Sequence, residues 1–243
     1  MTDRQRASYN KRWGAMSDRP DRAHRVFLER LYRHHRIVDE MLESRADSTR
    51  PMLEFGCGVG GVANWAAERG AKVVAVDVSD EAVRVAAERS QELAHPPEFH
   101  CADIAEFSFP GAPYDIIVSF DVIEHIPPER LPEVLRALAE RLTDGGTLLI
   151  TTPNCERVGN RLRRLIGRPA SRYHEHEREY TVRELRDLAA AAGIEIVCCQ
   201  GDPLLASGWT IGLPGFHGLS RILGARMPGL ACGIVLWCRR SAP

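Results

Sequence analysis

Short apolar runs alternate with longer amphipathic stretches through the middle of this chain of 243 residues. The runs show no regular exchange of apolar and polar positions, a pattern typical of parallel strands that are covered on both faces. Predicted strands occupy Met52–Phe55, Val73–Asp77, Glu98–Ala102, Tyr114–Phe120 and Thr147–Thr152, and predicted helices occupy 61–69, 80–94 and 129–142. Because strands and helices alternate, the sequence predicts an α/β fold with a doubly wound, mainly parallel sheet.

Further elements are predicted on either side of this alternating region. Residues 22–44 place apolar side chains at near-helical spacing among charges, which predicts one or two amphipathic helices. The Asp-Gly-Gly sequence at 144–146 predicts a turn into the fifth strand. Thr181 and Glu184 form a predicted capping box for a helix over Val182–Ala192.

The last part of the chain departs from the simple strand–helix alternation. Predicted strands at Ile194–Gln200 and Gly233–Cys238 bracket an insertion that is rich in glycine, proline and large apolar residues. We therefore expect one main domain with added segments that act as lids. The predicted organisation is an N-terminal helical segment or lid over 1–48 and a main domain over 49–243, with substrate-lid segments at 155–181 and 201–231.

Charge is balanced overall but unevenly distributed. The net charge is −1, so no overall field favours nucleic acid or a membrane. Residues 51–150 hold 7 Lys and Arg against 17 Asp and Glu, whereas residues 1–50 hold 12 against 8. An acidic main domain with a basic N-terminal segment is predicted, and a solvated helix surface is the favoured explanation of the basic residues.

The cysteines and the apolar runs limit the cellular setting. The 7 cysteines include no Cys-x-x-Cys pair, so we expect reduced, mostly structural thiols in a cytoplasmic protein. No run approaches the roughly 18 apolar residues of a membrane helix. The polar N-terminus does not resemble a signal peptide.

The densest group of informative residues joins the first two predicted strands. Glu54 lies in the first strand, glycines follow at 56, 58 and 60, and Asp77 ends the second strand. Glycines allow a tight strand-to-helix turn and let backbone N–H groups approach a ligand. An acidic residue at the end of the second strand can accept hydrogen bonds from ribose hydroxyls. The pattern indicates a site for a nucleoside cofactor.

The sequence Glu54-x-Gly56-x-Gly58-x-Gly60 resembles the first motif of the class I S-adenosylmethionine-dependent methyltransferases. The Gly-x-Gly-x-x-Gly spacing of dinucleotide sites is not the leading pattern. A carboxylate two positions before the first glycine suits a sulfonium and an ammonium group better than a phosphate. The resemblance covers roughly residues 50–200 and implies a Rossmann-like sheet of seven strands with a reversed seventh strand.

The resemblance also implies a cofactor contact at each of four strand ends. Glu54 would hold the methionine end of the cofactor, Asp77 the ribose, and Asp103 the adenine amine. Phe120 and Asp121 would pass under the methionine moiety. The implied cofactor-binding set is Glu54, Gly56, Cys57, Gly58, Gly60, Asp77, Val78, Asp103, Ile104, Phe120 and Asp121. Because ligands of such sheets lie at the carboxyl ends of the strands, we expect the four sites to converge in one crevice.

A Glu-His pair, Glu124 and His125, follows the fourth strand. The region resembles the Glu-x-x-Glu-His sequence of ubiquinone-biosynthesis O-methyltransferases, which is associated with a divalent metal, although Asp121 here replaces the first glutamate. Positions 121, 124 and 125 share one face of a helical turn. A metal site is one interpretation. We favour a site without metal, in which His125 lines the substrate pocket and acts as a general base, because histidine ordinarily titrates near neutrality.

A second polar cluster spans 173–181, before the helix that Thr181 caps. Alternate residues of an extended segment face the same way, so His174 and His176 could converge on one pocket or one metal, with Tyr173 beside the substrate. An exposed charged loop explains the cluster equally well. Near the start of the chain, Tyr9 and Trp13 are predicted either to close over the cofactor as a lid or to pack in the ordinary way.

Two further segments have both a functional and a structural interpretation. Between 157 and 168, arginines alternate with apolar residues, so a basic amphipathic helix could contact a membrane surface or hold an anionic substrate. We favour a helix that packs its apolar side and exposes its charges to solvent. The insertion at 203–230 forms either an apolar wall over the substrate or a hydrophobic cap on the sheet.

These features predict methyl transfer from S-adenosylmethionine to a small-molecule acceptor, with a hydroxyl of a natural product, sugar or quinone as the leading nucleophile. His125 is the first choice of base, and His174 and His176 are alternates or substrate ligands. Methylation of carbon or nitrogen and a catalytically silent, cofactor-binding partner subunit are the alternatives. The acidic main domain disfavours nucleic acid as substrate. We expect a monomer or homodimer with no integral membrane association.

Overall fold

A computed structural model of the chain describes residues 22–44, 50–103, 112–171, 176–202 and 216–241. The described strands are β1 (Met52–Phe55), β2 (Val73–Asp77), β3 (Glu98–Cys101), β4 (Tyr114–Phe120), β5 (Leu142–Pro153), β6 (Ile194–Asp202) and β7 (Gly233–Arg240). The described α-helices are α1 (Arg22–Glu43), α2 (Gly61–Glu68), α3 (Asp80–Arg89), α4 (Leu131–Glu140), α5 (Val158–Leu165), α6 (Val182–Ala191) and α7 (Phe216–Arg226). A short 3₁₀ helix covers Ile123–His125.

The strands form a 7-stranded sheet in the order β3-β2-β1-β4-β5-β7-β6. β1 pairs in parallel with both β2 and β4, and β2 pairs in parallel with β3. β6 and β7 pair antiparallel, so the sheet is mixed. The predicted fold class, a doubly wound and mainly parallel sheet of seven strands, is confirmed.

The chain divides into two compact units. The first contains the described residues up to Phe120 together with Glu140–Leu148, and the second contains Asp121–Ala139 and the described residues from Leu149 onward. These units do not follow the predicted division at residue 48, and the functional roles of the segments 1–48, 155–181 and 201–231 stay predictions.

In the first unit, helix α1 packs against helix α2. The His35 ring stacks on Trp65 with centroids 4.0 Å apart, and its Nε2 lies 2.9 Å from the carbonyl oxygen of Gly61. The Trp65 indole N–H donates to Asp39 at 2.9 Å. Burial of the His35 ring lowers its pKa, which favours the neutral imidazole in this contact. Helix α1, which lies in the predicted N-terminal helical segment, is therefore fixed beside the start of α2.

The helix starts follow the predicted caps. The Ser79 hydroxyl accepts the Ala82 N–H at 3.1 Å, so Ser79 is the N-cap of α3. At α6, Thr181 accepts the Glu184 N–H at 3.1 Å while the Glu184 carboxylate accepts the Thr181 N–H at 2.8 Å. This reciprocal pair is the predicted capping box.

Two predicted boundaries are wrong by five residues, and the other strand and helix boundaries in this region differ by two residues or fewer. Helix α3 ends at Arg89 rather than at residue 94. β5 begins at Leu142 rather than at Thr147, so the Asp-Gly-Gly sequence lies within the strand, although Gly145 has a φ of 83°. The segment is held extended because the Tyr114 N–H donates to the carbonyl of Arg141 at 2.8 Å and the Thr143 hydroxyl donates to Asp115 at 2.7 Å.

The cysteines and the long helices can also be compared with the structure. None of the seven cysteines forms a disulfide, and Cys57 and Cys238 are buried. Among the described residues, no helix combines the length and the apolar character that crossing a bilayer requires.

Candidate functional site

The glycine loop after β1 takes a conformation that its glycines permit. Gly56, Gly58 and Gly60 have φ angles of 80°, 50° and 76°, in the region that side chains disfavour. A Cβ atom on Gly60 would lie 2.9 Å from the Cβ of Ala86. The N–H groups of Gly56 and Cys57 both donate to the carbonyl of Val76, at 2.7 and 3.1 Å, so the loop is fixed against β2.

Asp77, at the end of β2, organises this loop through its carboxylate. One oxygen accepts the Gly58 N–H at 2.8 Å, and the other accepts the Ser79 N–H at 2.9 Å. Burial raises the pKa of Asp77, while these N–H donors act in the opposite direction. Each carboxylate oxygen keeps a second lone pair for a ligand hydroxyl. The predicted ribose contact is therefore compatible with the observed geometry.

Glu54 is buried in β1 with 3% of its surface exposed. Burial raises the pKa of its carboxyl well above the ordinary value, the backbone N–H of Ala63 opposes the shift, and the charge of Asp77 adds to it. Within the described residues, Oε2 of Glu54 has no hydrogen-bond partner. A buried carboxylate oxygen without a donor is costly, and the ammonium group of a ligand would supply one. Glu54 therefore fits the predicted contact with the methionine end of the cofactor.

The other predicted cofactor residues of the first unit surround this loop. Burial raises the pKa of the Cys57 thiol well above its usual range, so the thiol stays protonated. The Ala102 N–H donates to the carbonyl of Asp77 at 2.9 Å, which places Asp103 next to the end of β2. Phe120, at the end of β4, stacks on the ring of His34 with centroids 4.1 Å apart. His34 was not predicted, because a histidine within an amphipathic helix gives no signal of its contacts.

Val78 links the loop to the next strand, since its carbonyl oxygen lies 3.8 Å from the Cys101 thiol. Several predicted residues cannot be compared with the structure. Those that lie outside the described residues are Tyr9, Trp13, Ile104, Tyr173 and His174. Their roles stay predictions.

In the second unit, Asp121 is held by Thr151. The Asp121 N–H donates to the carbonyl of Thr151 at 3.0 Å, and the Thr151 hydroxyl lies 3.3 Å from Oδ1 of Asp121. Asp121 has a φ of 55°, unusual for a residue with a side chain. Such a conformation costs about 1–2 kcal/mol and persists because its surroundings fix it.

The residues Glu124, His125 and His176, called here the acceptor cluster, are brought together in the second unit. One carboxylate oxygen and one ring nitrogen from each histidine all lie within 4.8 Å of one another. The two imidazole rings meet edge to face, with centroids 4.8 Å apart and planes at 86°. The segment that carries His176 reaches the 3₁₀ helix because the Arg178 N–H donates to the carbonyl of Glu124 at 3.1 Å.

Two buried side chains that the sequence analysis gave no role hold the acceptor cluster. The Thr152 hydroxyl donates to Glu124 at 3.0 Å, and Glu179 lies 3.2 Å from Nδ1 of His176 and pairs with Arg157. Burial by itself would raise the pKa of Glu179, but the hydrogen bonds from His176 and Arg157 and the charge of Arg157 lower it overall. Because an ionised carboxylate only accepts, Nδ1 of His176 carries the proton.

Glu179 belongs to the polar segment 173–181 that the sequence singled out, but its spacing from His176 gives no indication that the two residues pair. The same segment contains Tyr180, which is buried and has its pKa raised by burial to about 12. Where it is described, the segment therefore buries His176, Glu179 and Tyr180, whereas Glu177 and Arg178 are exposed. His176 and Glu179 have 9% and 3% of their side chains exposed.

Comparisons with known proteins agree with this architecture. A family model described as "Methyltransferase domain" matches residues 23–199. A probable S-adenosylmethionine-dependent methyltransferase of Mycobacterium tuberculosis is 32% identical over 169 residues, which cover 69% of this chain and 57% of that protein. A ubiquinone biosynthesis O-methyltransferase of Idiomarina loihiensis is 26% identical over 162 residues, which cover 63% of this chain and 64% of that protein. Both matches span less than two thirds of the relative's length.

Among solved structures, the magnesium protoporphyrin IX methyltransferase of Synechocystis PCC 6803 with bound S-adenosylhomocysteine superposes with a TM-score of 0.67. It is 16% identical, and the match covers 97% of this chain and 94% of that one. This likeness supports the fold. The family model spans most of the chain, and it confirms both the predicted family and the cofactor that the family uses. The chain belongs to the class I S-adenosylmethionine-dependent methyltransferases.

Proposed function

We propose that the protein transfers the methyl group of S-adenosylmethionine to a hydroxyl of a small-molecule acceptor, with His125 as the base. The observation that carries this proposal is the acceptor cluster, in which His125 lies against His176 and His176 is tied to a buried carboxylate. A general base must be held where it can reach the proton that it removes, histidine is the residue that serves most often, and the contact with His176 holds the His125 ring in place. The similarity to a ubiquinone biosynthesis O-methyltransferase supports oxygen as the acceptor atom.

The cofactor is assigned to the first unit. When bound, S-adenosylmethionine supplies a methyl group on a positively charged sulfur, which makes the methyl carbon electrophilic. Glu54 would accept hydrogen bonds from the ammonium group, because its Oε2 is buried and has no partner among the described residues. Asp77 would accept from the ribose hydroxyls while it keeps its two backbone donors.

The acceptor is assigned to the second unit. The acceptor oxygen forms its bond to the methyl carbon as the carbon–sulfur bond breaks, and the hydroxyl proton passes to His125. General-base catalysis of this kind contributes about 10²–10⁴-fold to the rate. His176 keeps the His125 ring in place, and Glu179 and Arg157 keep His176 in place. His176 and Glu179 are buried, so a displacement of Glu179 would also move His176 and the His125 ring that lies against it.

The acceptor cluster also fits a divalent cation. One carboxylate and two imidazoles form a donor set that suits zinc and other transition metals. A cation held by these residues would polarise an acceptor hydroxyl, and His125 would then be a ligand instead of a base. Our proposal assigns proton transfer to His125 without a metal, and removal of metal distinguishes the two arrangements.

The test is production of S-adenosylhomocysteine from a panel of hydroxylated small molecules by the wild type, His125→Ala and His125→Gln. We expect both variants to lose about 10²–10⁴-fold in kcat while they bind S-adenosylhomocysteine as the wild type does. His95→Ala, at an exposed histidine after α3, is the matched control and keeps full activity.

Near-normal turnover by both His125 variants would contradict its role as base and favour carbon or nitrogen as the acceptor atom. Measured cofactor binding without methyl transfer to any acceptor would favour the catalytically silent partner subunit.

A further inference from the structure

Helix α5 is oriented with its apolar side toward solvent. Leu162, Leu165 and Ile166 have 57%, 81% and 68% of their surfaces exposed. With about 3.6 residues per turn, these positions share one face of the helix and its last turn, and position 160 lies on the opposite face. Asn160 is 1% exposed. We expected this helix to pack its apolar side and to expose its charges. The expectation about the apolar side is wrong, because that side faces solvent.

Asn160 fixes this orientation. Its amide nitrogen donates to the carbonyl oxygens of Cys155 and Ser171 at 2.9 and 3.1 Å, and its oxygen accepts the Ser171 N–H at 2.8 Å. Turning the helix to bury its leucines would break all three hydrogen bonds and leave buried polar groups unpaired, which disfavours the turned orientation. The exposure of the apolar face is thus built into the unit.

Arginines border the exposed apolar face. Residues 157–168 contain five arginines and no acidic residue. With about 3.6 residues per turn, Arg161 and Arg163 flank the apolar face on its two sides. Arg161 is exposed and also lies 3.3 Å from Glu156, and Arg168, after the helix, is exposed. The segment therefore combines protruding aliphatic side chains with guanidinium groups, which bind phosphate and carboxylate oxygens well.

A second group of exposed apolar side chains belongs to helix α7 and the residue after it. Its members are Leu219, Ile222, Leu223 and Met227. The chain that follows α7 lies against the start of α5, because the Val158 N–H donates to the carbonyl of Leu230 at 3.0 Å. Contiguous exposed apolar residues mark an interaction surface more often than isolated ones do.

We propose that this face of α5 binds the surface of an anionic lipid bilayer. The aliphatic side chains would enter the boundary between headgroups and acyl chains, and the arginines would contact lipid phosphates, as amphipathic helices do at membrane surfaces. Nucleic acid would use the arginines but would leave the leucines and the isoleucine exposed to water. An anionic lipid surface would contact both the arginines and the aliphatic side chains. This proposal is independent of the proposed methyl transfer.

The test is flotation of the full chain with vesicles of phosphatidylcholine mixed with phosphatidylglycerol, and with vesicles of phosphatidylcholine alone. We expect binding to the mixed vesicles that weakens with salt. Arg161→Gln combined with Arg168→Gln should weaken it about 30-fold, since each arginine near an anionic surface contributes about 1 kcal/mol. The serine variant, which combines Leu162→Ser, Leu165→Ser and Ile166→Ser, should lose binding altogether.

Matched controls use exposed residues elsewhere. Val197→Ser, at a residue 59% exposed in β6, and Arg36→Gln, in α1, should bind vesicles as the wild type does. Circular dichroism and the urea midpoint should be unchanged in every variant, because every substituted side chain is exposed.

Absence of wild-type binding to anionic vesicles, or equal binding by the serine variant, would overturn the proposal. If sedimentation instead shows self-association that the serine variant loses, with no vesicle binding, the face joins two copies of the chain.

Discussion

Replacing Glu54 by glutamine tests two effects of its carboxylate: it lowers the free energy of unfolding at high pH, and it contributes to cofactor binding. The glutamate is buried, and its folded-state pKa lies well above the ordinary value because burial disfavours the charged form. Glutamine has nearly the same shape, can still accept the Ala63 N–H, and does not titrate. The substitution therefore removes the ionisation and leaves the surrounding backbone contacts in place.

The sign of the pH effect follows from the raised pKa. Between the ordinary pKa of the unfolded chain and the raised pKa of the folded chain, the folded state binds more protons at Glu54 than the unfolded state does. The stability contribution of Glu54 is fully present below that window and is lost as the pH rises through it. The loss reaches about 1.4 kcal/mol for each pH unit inside the window. The Glu54→Gln variant should lack this slope.

Binding should change in the opposite direction. An ammonium group beside Glu54 favours the ionised carboxylate, so S-adenosylhomocysteine should bind more tightly as the pH rises through the same window. At high pH the variant should bind it about 10–150-fold more weakly, the value of a hydrogen bond to a charged group of about 1.5–3 kcal/mol. Proton release on binding, seen by calorimetry in buffers of different ionisation enthalpy, should occur in the wild type alone.

Urea unfolding at a series of pH values and titration calorimetry measure the two effects. Glu92→Gln, at an exposed glutamate after α3, is the matched control and should retain the wild-type slope and affinity. Parallel stability curves for the wild type and Glu54→Gln would refute the buried-charge argument. Unchanged affinity for S-adenosylhomocysteine would refute the contact with the methionine end.

Three further predictions concern the glycine loop, the acceptor cluster and metal. Gly60→Ala should lower the free energy of unfolding by about 1–3 kcal/mol more than Gly70→Ala in urea titrations, because both glycines have positive φ but only Gly60 would place a Cβ against Ala86. Glu179→Gln should lower the free energy of unfolding at neutral pH but hardly at acid pH. The lowered pKa of Glu179 stabilises the fold above the ordinary pKa, and this contribution is lost as the pH falls. Equal losses of unfolding free energy at both pH values would contradict this argument. Dialysis against EDTA should leave methyl transfer unchanged if His125 is the base, and a loss that zinc restores would assign the acceptor cluster to a cation.

Much of the fold was predictable because β1, β2 and β4 are short apolar runs that are buried on both faces. The first two runs end at a glycine or a polar residue, at Gly56 and Asp77. β3, by contrast, is partly exposed. The start of β5 was not predictable, because Asp144 and the glycines after it favour a turn locally. The contacts of Thr143 and of Arg141 with residues Asp115 and Tyr114 of β4 decide the conformation, and a local sequence pattern does not record such contacts.

The cofactor residues of the first unit were predictable for a related reason. Glu54, the glycines and Asp77 lie within one strand–helix–strand unit, so their local spacing reflects the geometry that they adopt. The acceptor cluster joins residues about fifty positions apart, and a sequence pattern records no such distance. Histidines at 125 and 176 could be named as candidates, but their contact and the carboxylate of Glu179 behind them required the fold.

Helices α5 and α6 show what amphipathic periodicity leaves undecided. Both have apolar and polar faces, yet α6 buries Leu185 and Ala189, whereas α5 buries Asn160 and exposes its leucines. The periodicity defines the two faces, and the partners of a single buried amide select which face turns inward. Burying an aliphatic side chain stabilises a protein by about 1.5–3 kcal/mol, so a unit that leaves three of them in water gives up stability that a different residue at 160 could recover. That loss is understandable if the exposed face has a partner, and the arginines around it indicate an anionic one.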